Sequence, residues 1–337
     1  MKKNETVNRV CIVETVYALM LYLLYCSEEE IKNTFYFTGD TLSSLLKGKG
    51  INNCSFKAHA SIFQRILFRI KLYWFSHWRW SFLKTAQIYG QDHIQWFSGL
   101  IGSRNYTLIE DGPKNFSYYF NNSAVYREAK KGRNGLGKIR LKLCYGPTYA
   151  WSHAENNQCE NIILTEKTDL EYLNGKTSTL VSIDDLWEKS SETKKQLILN
   201  IFNIDSLQNF LLESCGIIIL TQPFYIDVPD FSEQEQIDLF SEIINRYHKK
   251  DIIIKVHPRD KINYQKYFPD VKVLELPIPM QLLNLAGIRF QKVVTVCSSS
   301  VMSFPYKIDI EWVGVTCRKK LLDFYGSDVY QYNQNQS

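Results

Sequence analysis

A chain of 337 residues is too long for one hydrophobic core and divides naturally into two domains of ordinary size. Its 45% hydrophobic and 22% charged residues are the balance of a folded globular protein, which excludes long disorder and fibrous or low-complexity classes. The net charge of +5 is modest, and the eight cysteines form no CxxC pair, which argues against zinc ribbons and dithiol redox motifs. Cys11 and Cys297 sit in apolar runs and read as reduced, buried small hydrophobes, as in a cytoplasmic protein.

The first apolar stretch, Val10 to Tyr25, contains Glu14 and is shorter than the about 20 residues a spanning helix needs. It also lacks a small-residue cleavage site. It reads as a strand, Val10–Val13, followed by a helix from Thr15 through Leu24. Further strands are expected at Thr34–Thr38, Ala86–Tyr89, Tyr106–Ile109 and Ile162–Leu164, with a long helix over Ser61–Lys84. Alternating strands and helices imply a mostly parallel sheet. A polar stretch from Asn174-Gly175 marks the boundary, giving domains 1–180 and 181–337, with Asp184–Leu199 as a connecting helix. The second domain repeats the pattern with strands Gly216–Leu220, Ile252–Val256, Val271–Leu274, Val293–Cys297 and Ile310–Val313. Its clearest helix is Ser232–Arg246, where Ser232 and Glu235 have capping-box spacing and Ile237, Phe240 and Ile244 share a face. The fold class is therefore α/β with two Rossmann-like domains.

In open α/β sheets, ligands bind beyond the carboxyl ends of the strands. Four of these ends carry groups suited to one anionic substrate. They are Glu110-Asp111-Gly112-Pro113, Thr221-Gln222-Pro223, His257-Pro258-Arg259-Asp260 and Ser298-Ser299-Ser300. Three serines before an expected helix offer hydroxyls and free N–H groups to a phosphate, although one serine would suffice as an N-cap. Lys255 leaves its strand on the same face as His257. A histidine there can protonate or hydrogen-bond a leaving phosphate, or merely be a buried residue bonded to backbone. The adjacent carboxylates Glu110 and Asp111 can supply a general base, with Gly112 allowing a sharp turn. Gly90-Gln91-Asp92-His93 follows another strand, and His93 is a minor candidate for acceptor binding. There is no G-x-G-x-x-G, no P-loop, no H-E-x-x-H and no Asp-x-Asp after a strand. Asp184-Asp185 reads as a helix cap.

The set of strand-end motifs resembles the bacterial sialyltransferases of glycosyltransferase family 52, which share a D/E-D/E-G motif, an HP motif and a later serine pair. The phrases Thr221-Gln222-Pro223, Lys255-Val256-His257-Pro258-Arg259 and Leu276-Pro277-Ile278-Pro279 add to the likeness, which covers most of the chain and is strongest from about 216 to 315. It implies a GT-B fold, in which the two domains face across a cleft. It also implies inverting transfer of sialic acid from CMP-sialic acid to a hydroxyl of a bacterial surface glycan, of lipooligosaccharide or capsule type. No cofactor and no essential metal are implied. Asp111 is assigned as the base and His257 as the group meeting the leaving phosphate. Asp230, on the loop Phe224–Asp230, is the runner-up base. Glu110, Gly112, Gln222, Lys255, Pro258, Arg259 and Ser298–Ser300 are the expected substrate contacts.

From Thr41 to Gln91 there is no Asp or Glu, while eight Lys and Arg side chains from Lys47 to Lys84 alternate with Phe, Tyr and Trp. This suits an anionic membrane surface carrying a lipid-linked acceptor, and hence a peripheral protein on the inner face of the cell membrane. A second cluster, Lys130, Lys131, Arg133, Lys138, Arg140 and Lys142, extends it. The plainer reading makes the aromatics core and the charges a solvated face. Nucleic acid is not expected, because no recognised module accompanies the patch. A homodimer is compatible with the sequence and not fixed by it. Two alternatives stand: a transferase using another nucleotide sugar, and a non-catalytic membrane-bound glycan-binding protein.

Overall fold

The structure, a computed structural model, describes residues 7–112, 116, 135–149, 153–207 and 216–326. The chain separates into two units, Met1–Ile201 and Phe202–Ser337. This division falls after the connecting helix expected behind a 180/181 boundary. That connector is two helices, Ile183–Glu188 and Glu192–Ile201, and both pack on helix Val16–Tyr25 of the first unit. Lys194 ties the second of them there by donating its ammonium to Leu24 O at 2.7 Å, at the carbonyl end of helix Val16–Tyr25. Ser182 is the N-cap, so Asp184 and Asp185 occupy the first turn rather than the cap.

The first unit holds strands β1 (Arg9–Val13), β2 (Thr34–Gly39), β3 (Asn53–Phe56), β4 (Gln87–Gly90), β5 (Tyr106–Ile109), β6 (Cys159–Leu164) and β7 (Thr177–Leu180). Their order is β3-β2-β1-β4-β5-β6-β7, and every pairing is parallel. Both faces are covered, which is why the central strands read as unbroken apolar runs. On one face Val10 and Ile12 join Leu72, Trp96 and Phe97. On the other, Tyr36 of β2 meets Tyr22 of helix Val16–Tyr25 edge-on, with ring centroids 5.8 Å apart. That helix is buried from Tyr17 through Leu24, so it has no solvent face to make it amphipathic. Thr15 caps it. The long helix expected over Ser61–Lys84 runs Ile62–His77, with Ser61 as cap, and a separate 3₁₀ turn follows at Ser81–Lys84.

The second unit holds β8 (Ile217–Leu220), β9 (Ile252–Lys255), β10 (Lys272–Leu274), β11 (Lys292–Thr295) and β12 (Asp309–Trp312), in order β10-β9-β8-β11-β12, again all parallel. Helix Glu233–Ile244 carries the expected capping box, with Ser232 and Glu235 each bonding the other's backbone. It buries Ile237, Phe240 and Ile244 against the sheet's core. The expected α/β class with two Rossmann-like units is what the structure has. In each unit the strand order reverses once, between β1 and β4 and between β8 and β11. These switch points are where a ligand crevice forms in such sheets.

Candidate active site

In the first unit the switch point is built by a glycine. A Cβ at Gly90, the last residue of β4, would lie 2.3 Å from Ile12 O. Only glycine allows this approach, and it brings the next residue, Gln91, under the end of β1. Gln91 is fully buried and every polar atom of its amide is used. Its Oε1 accepts from the backbone N–H of Glu14 at 2.7 Å and of Thr15 at 3.3 Å. Its Nε2 donates to Thr15 Oγ1 at 3.0 Å and to Asp111 Oδ1 at 2.5 Å. Asp111 stays partly exposed, and its Oδ2 lies 3.6 Å from His93 Nε2. Burial lowers the His93 imidazole below its ordinary value, with the Asp111 charge opposing.

Glu110 points the other way, as successive residues of an extended chain do. It is 1% exposed, and its Oε1 accepts from Tyr17 Oη at 2.7 Å and Thr165 Oγ1 at 2.5 Å. Burial pushes its carboxyl up to about 7. The expectation that Glu110 contacts substrate is therefore corrected: it ties β5 to helix Val16–Tyr25 and to the residue after β6. Gly112 follows half-buried, and Pro113 lies outside the described residues.

In the second unit the ends of three adjacent strands contribute. After β9, the backbone N–H of His257 donates to Thr221 Oγ1 at 3.0 Å, joining the β8 and β9 ends. The N–H of Arg259 donates to His257 Nδ1 at 3.1 Å. This fixes the tautomer, because a ring whose Nδ1 accepts carries its proton on Nε2. Burial, with Arg259 and Lys255 adding, lowers the imidazole to about 4. His257 is thus a neutral donor, not the cation that its basic neighbours suggest. Lys255 is buried, and burial lowers its ammonium to about 8. No described residue accepts a hydrogen bond from it.

The other predicted residues divide. Arg259 forms a bidentate pair with Asp227 at 2.6 and 2.7 Å, which neutralises it. Pro258 is exposed beside it. Gln222 Oε1 accepts from Cys297 Sγ at 2.9 Å, bridging the ends of β8 and β11. Ser298 is buried and its Oγ accepts from Ser300 N at 3.3 Å. The segment it caps is a five-residue 3₁₀ turn, Ser299–Ser303, not the expected helix, so little dipole is available there. Ser300 is half-buried, and the side chain of Ser299 lies outside the described set. Asp230 is exposed in the left-handed region, φ 61°, and its carbonyl accepts from Lys320. Among the described residues it makes no hydrogen bond or ion pair with the HP turn.

Two supporting groups are named in the sequence only as members of strand-end runs, with no role of their own. Gln91 is one. The other is Asp260, buried beneath the HP turn, whose carboxylate accepts from Thr221, Gln236, Tyr264 and the N–H of Ile262 at 2.9–3.2 Å. Gln91 sits one residue after β4 and Asp260 five residues after β9, in the same strand-end runs that hold His93 and His257.

Residues 27–318 match the profile of glycosyltransferase family 52. The chain belongs to glycosyltransferase family 52. It is a glycosyltransferase by that membership, and the family implies a nucleotide-sugar donor and a glycan acceptor. A Haemophilus influenzae protein described as uncharacterized is 27% identical over 323 residues, spanning 96% of this chain and 99% of its own. Among solved structures, the chain is similar to an α/β-galactoside α-2,3-sialyltransferase of Photobacterium phosphoreum, with 13% identity, coverage of 90% and 89%, and a TM-score of 0.49. It is also similar to a Photobacterium damselae sialyltransferase, with 12% identity, coverage of 88% of each chain and a TM-score of 0.48. Among the described residues, no helix is long and apolar enough to cross a membrane.

Proposed function

We propose that this member of the family is an inverting sialyltransferase of GT-B type that takes CMP-sialic acid as donor. The observation carrying the reading is the pair at the end of β9: a buried Lys255 ammonium with no described acceptor, and a neutral His257 whose Nε2–H is held free by the Arg259 amide. A buried charge is costly unless paired, and here the partner is an anion brought by the ligand. One ammonium and one N–H donor match a leaving group that carries a single phosphate. The Asp111 carboxylate accepts the proton of the acceptor hydroxyl as that oxygen attacks the anomeric carbon. The bond from the anomeric carbon to the phosphate oxygen breaks, and CMP leaves as its anion. Its new charge is met by Lys255 and the His257 Nε2–H, stabilisation aimed where charge develops. No divalent cation is required at that phosphate. Donor hydrolysis by the purified protein tests this. CMP-sialic acid should be consumed, and UDP- and CDP-linked donors should not. Turnover of one of those instead overturns the donor assignment.

We also infer that the acceptor is presented at an anionic membrane surface, as a lipid-linked lipooligosaccharide or capsule glycan on the inner face of the cell membrane. Helix Ile62–His77 exposes Phe63, Leu67, Ile70 and Trp74 in one stripe, and Trp78 just beyond is 86% exposed. Helix Leu136–Tyr145 packs beside it and exposes Leu136, Ile139 and Leu143. Arg69 joins the two by donating to the carbonyls of Lys142 and Leu143. Large apolar side chains rimmed by cations are the pattern of an interfacial surface. Lys138, Arg140 and Lys142 of the second basic cluster lie on that helix, whereas Lys130, Lys131 and Arg133 fall outside the described residues.

A further inference from the structure

The first unit contains a second cluster of chemistry-bearing side chains, which the transfer reaction does not use. Asp92 follows β4 and is fully buried. Its Oδ2 accepts from Tyr106 Oη at 2.8 Å and from the Ala154 N–H at 2.9 Å. Its Oδ1 has no hydrogen-bond partner among the described residues, and neither does the buried Nδ1 of His93. The third member is His153, buried, with Nδ1 4.0 Å from Asp92 Oδ1. The two imidazoles meet edge to face with centroids 4.7 Å apart. One ligand atom from each of the three residues lies within 4.8 Å of the others.

A carboxylate oxygen buried without a donor is expensive, and native structures rarely tolerate one. Here two such atoms, an oxygen and an imidazole nitrogen, lie beside a second imidazole. An imidazole N–H could relieve a neighbouring lone pair, but His153 Nδ1 and Asp92 Oδ1 stand 4.0 Å apart, beyond a hydrogen bond, so these atoms converge without bonding one another. Two imidazoles and one carboxylate are the donor set of a borderline cation such as Zn²⁺, with a fourth position left for water. Mg²⁺ and Ca²⁺ prefer oxygen-only shells. Tetrahedral coordination at about 2.0–2.1 Å sets donors roughly 3.4 Å apart, so the 4.0 Å gap between Asp92 and His153 would close by about half an ångström.

We propose that Asp92, His93 and His153 bind one Zn²⁺-class ion in the acceptor-side unit. If His93 ligates through Nδ1, its Nε2–H faces Asp111 Oδ2, now 3.6 Å away. That is the carboxylate–histidine–metal arrangement by which an outer carboxylate orients a metal-bound ring. The ion then fixes the side chain next to the proposed base while taking no part in phosphate departure. The site stands whatever the donor proves to be. It also narrows the expectation of a metal-free protein to the leaving-group chemistry alone.

The test uses the full chain, purified without a histidine tag, stripped with dipicolinate and confirmed folded by circular dichroism. Zn²⁺ is then titrated in competition with a chromophoric chelator, and Co²⁺ is titrated to read its visible absorption. The expected result is uptake of close to one equivalent with a raised melting temperature, and a Co²⁺ spectrum of tetrahedral intensity. Asp92→Asn and His153→Ala should each weaken Zn²⁺ at least tenfold. Uptake well below one equivalent by the folded wild-type chain overturns the proposal even if neither variant folds. So does equal uptake by wild type and Asp92→Asn. Donor hydrolysis measured in parallel reports on the sialyltransferase reading separately.

Discussion

The backbone N–H of Arg259 donates to Nδ1 of His257 over 3.1 Å, which leaves Nε2 as the only protonated nitrogen of a neutral ring. Proline at position 258 lacks an N–H and limits the turn, so the residue after it supplies this bond. His257→Ala should lower kcat by about 10²–10⁴, the range for loss of a positioned proton donor. A donor with a better leaving group should recover part of the loss. Normal turnover by His257→Ala with CMP-sialic acid would remove the HP turn from the mechanism.

The pH dependence follows from the same ring. Its folded value of about 4 lies below the ordinary histidine value of roughly 6.5. Between those two pH values the unfolded chain binds the extra proton, so this group erodes stability as pH falls from about 6.5 towards 4. Urea midpoints of wild type and His257→Ala should differ in their pH slope across that window, the variant being flatter. The acid limb of kcat/KM should also fall nearer pH 4 than 6.5. Parallel slopes in the two proteins would contradict a buried neutral ring.

Lys255 predicts opposite effects on stability and function. Its buried ammonium is held near 8 by desolvation alone, a cost of about 3 kcal/mol in the ligand-free protein. Lys255→Met should therefore raise the melting temperature and weaken CMP binding by at least tenfold. Calorimetry and CMP titration check the two halves. A destabilised variant with unchanged CMP affinity would mean that the ammonium serves the fold.

Most of the fold was legible because parallel strands buried on both faces print as apolar runs, and the three central strands of the second unit, β8, β9 and β11, show this. The two strands that escaped, β3 and β7, are the sheet's edges, with sequences NCSF and TSTL and largely unburied side chains. An edge strand buries too little to differ from a loop. The strand-end rule picks out His257, Asp111 and Ser298 as candidates, but it cannot say which way a side chain turns. Glu110 and Asp111 are adjacent and alike in chemistry, yet one is buried on Tyr17 and the other is held outward by Gln91. Arg259 reads as a phosphate ligand until Asp227, far from it in sequence, takes both ends of its guanidinium.

The exposed ridge gives a binding prediction. The wild-type chain should co-sediment with vesicles containing anionic lipid and be released by high salt. Replacing Trp74 and Trp78 by serine should weaken this several-fold without moving the melting temperature, because both are largely exposed. Full recovery of wild type in the supernatant at low ionic strength would leave the ridge without a membrane role.

The base is decided by comparing Asp111 with Asp230. Asp111 sits at the switch point of the first unit, and one oxygen is fixed by Gln91, a fully buried amide that also holds the first turn after β1. Asp230 is exposed, and among the described residues its one hydrogen-bond partner is Lys320, which donates to its carbonyl. A group that must take a proton from a positioned hydroxyl needs such anchoring, because catalysis falls steeply with small misplacements. Asp111→Asn should therefore reduce kcat strongly and leave CMP affinity unchanged, and a better leaving group should not rescue it. Gln91→Ala should reduce kcat by less, since the carboxylate remains but loses its fixed direction, and Gln91→Glu should fail to restore it because two carboxylates repel. Asp230→Asn should turn over normally. An active Asp111→Asn beside an inactive Asp230→Asn would move the base to the second unit and leave the Gln91 contact as a structural bond.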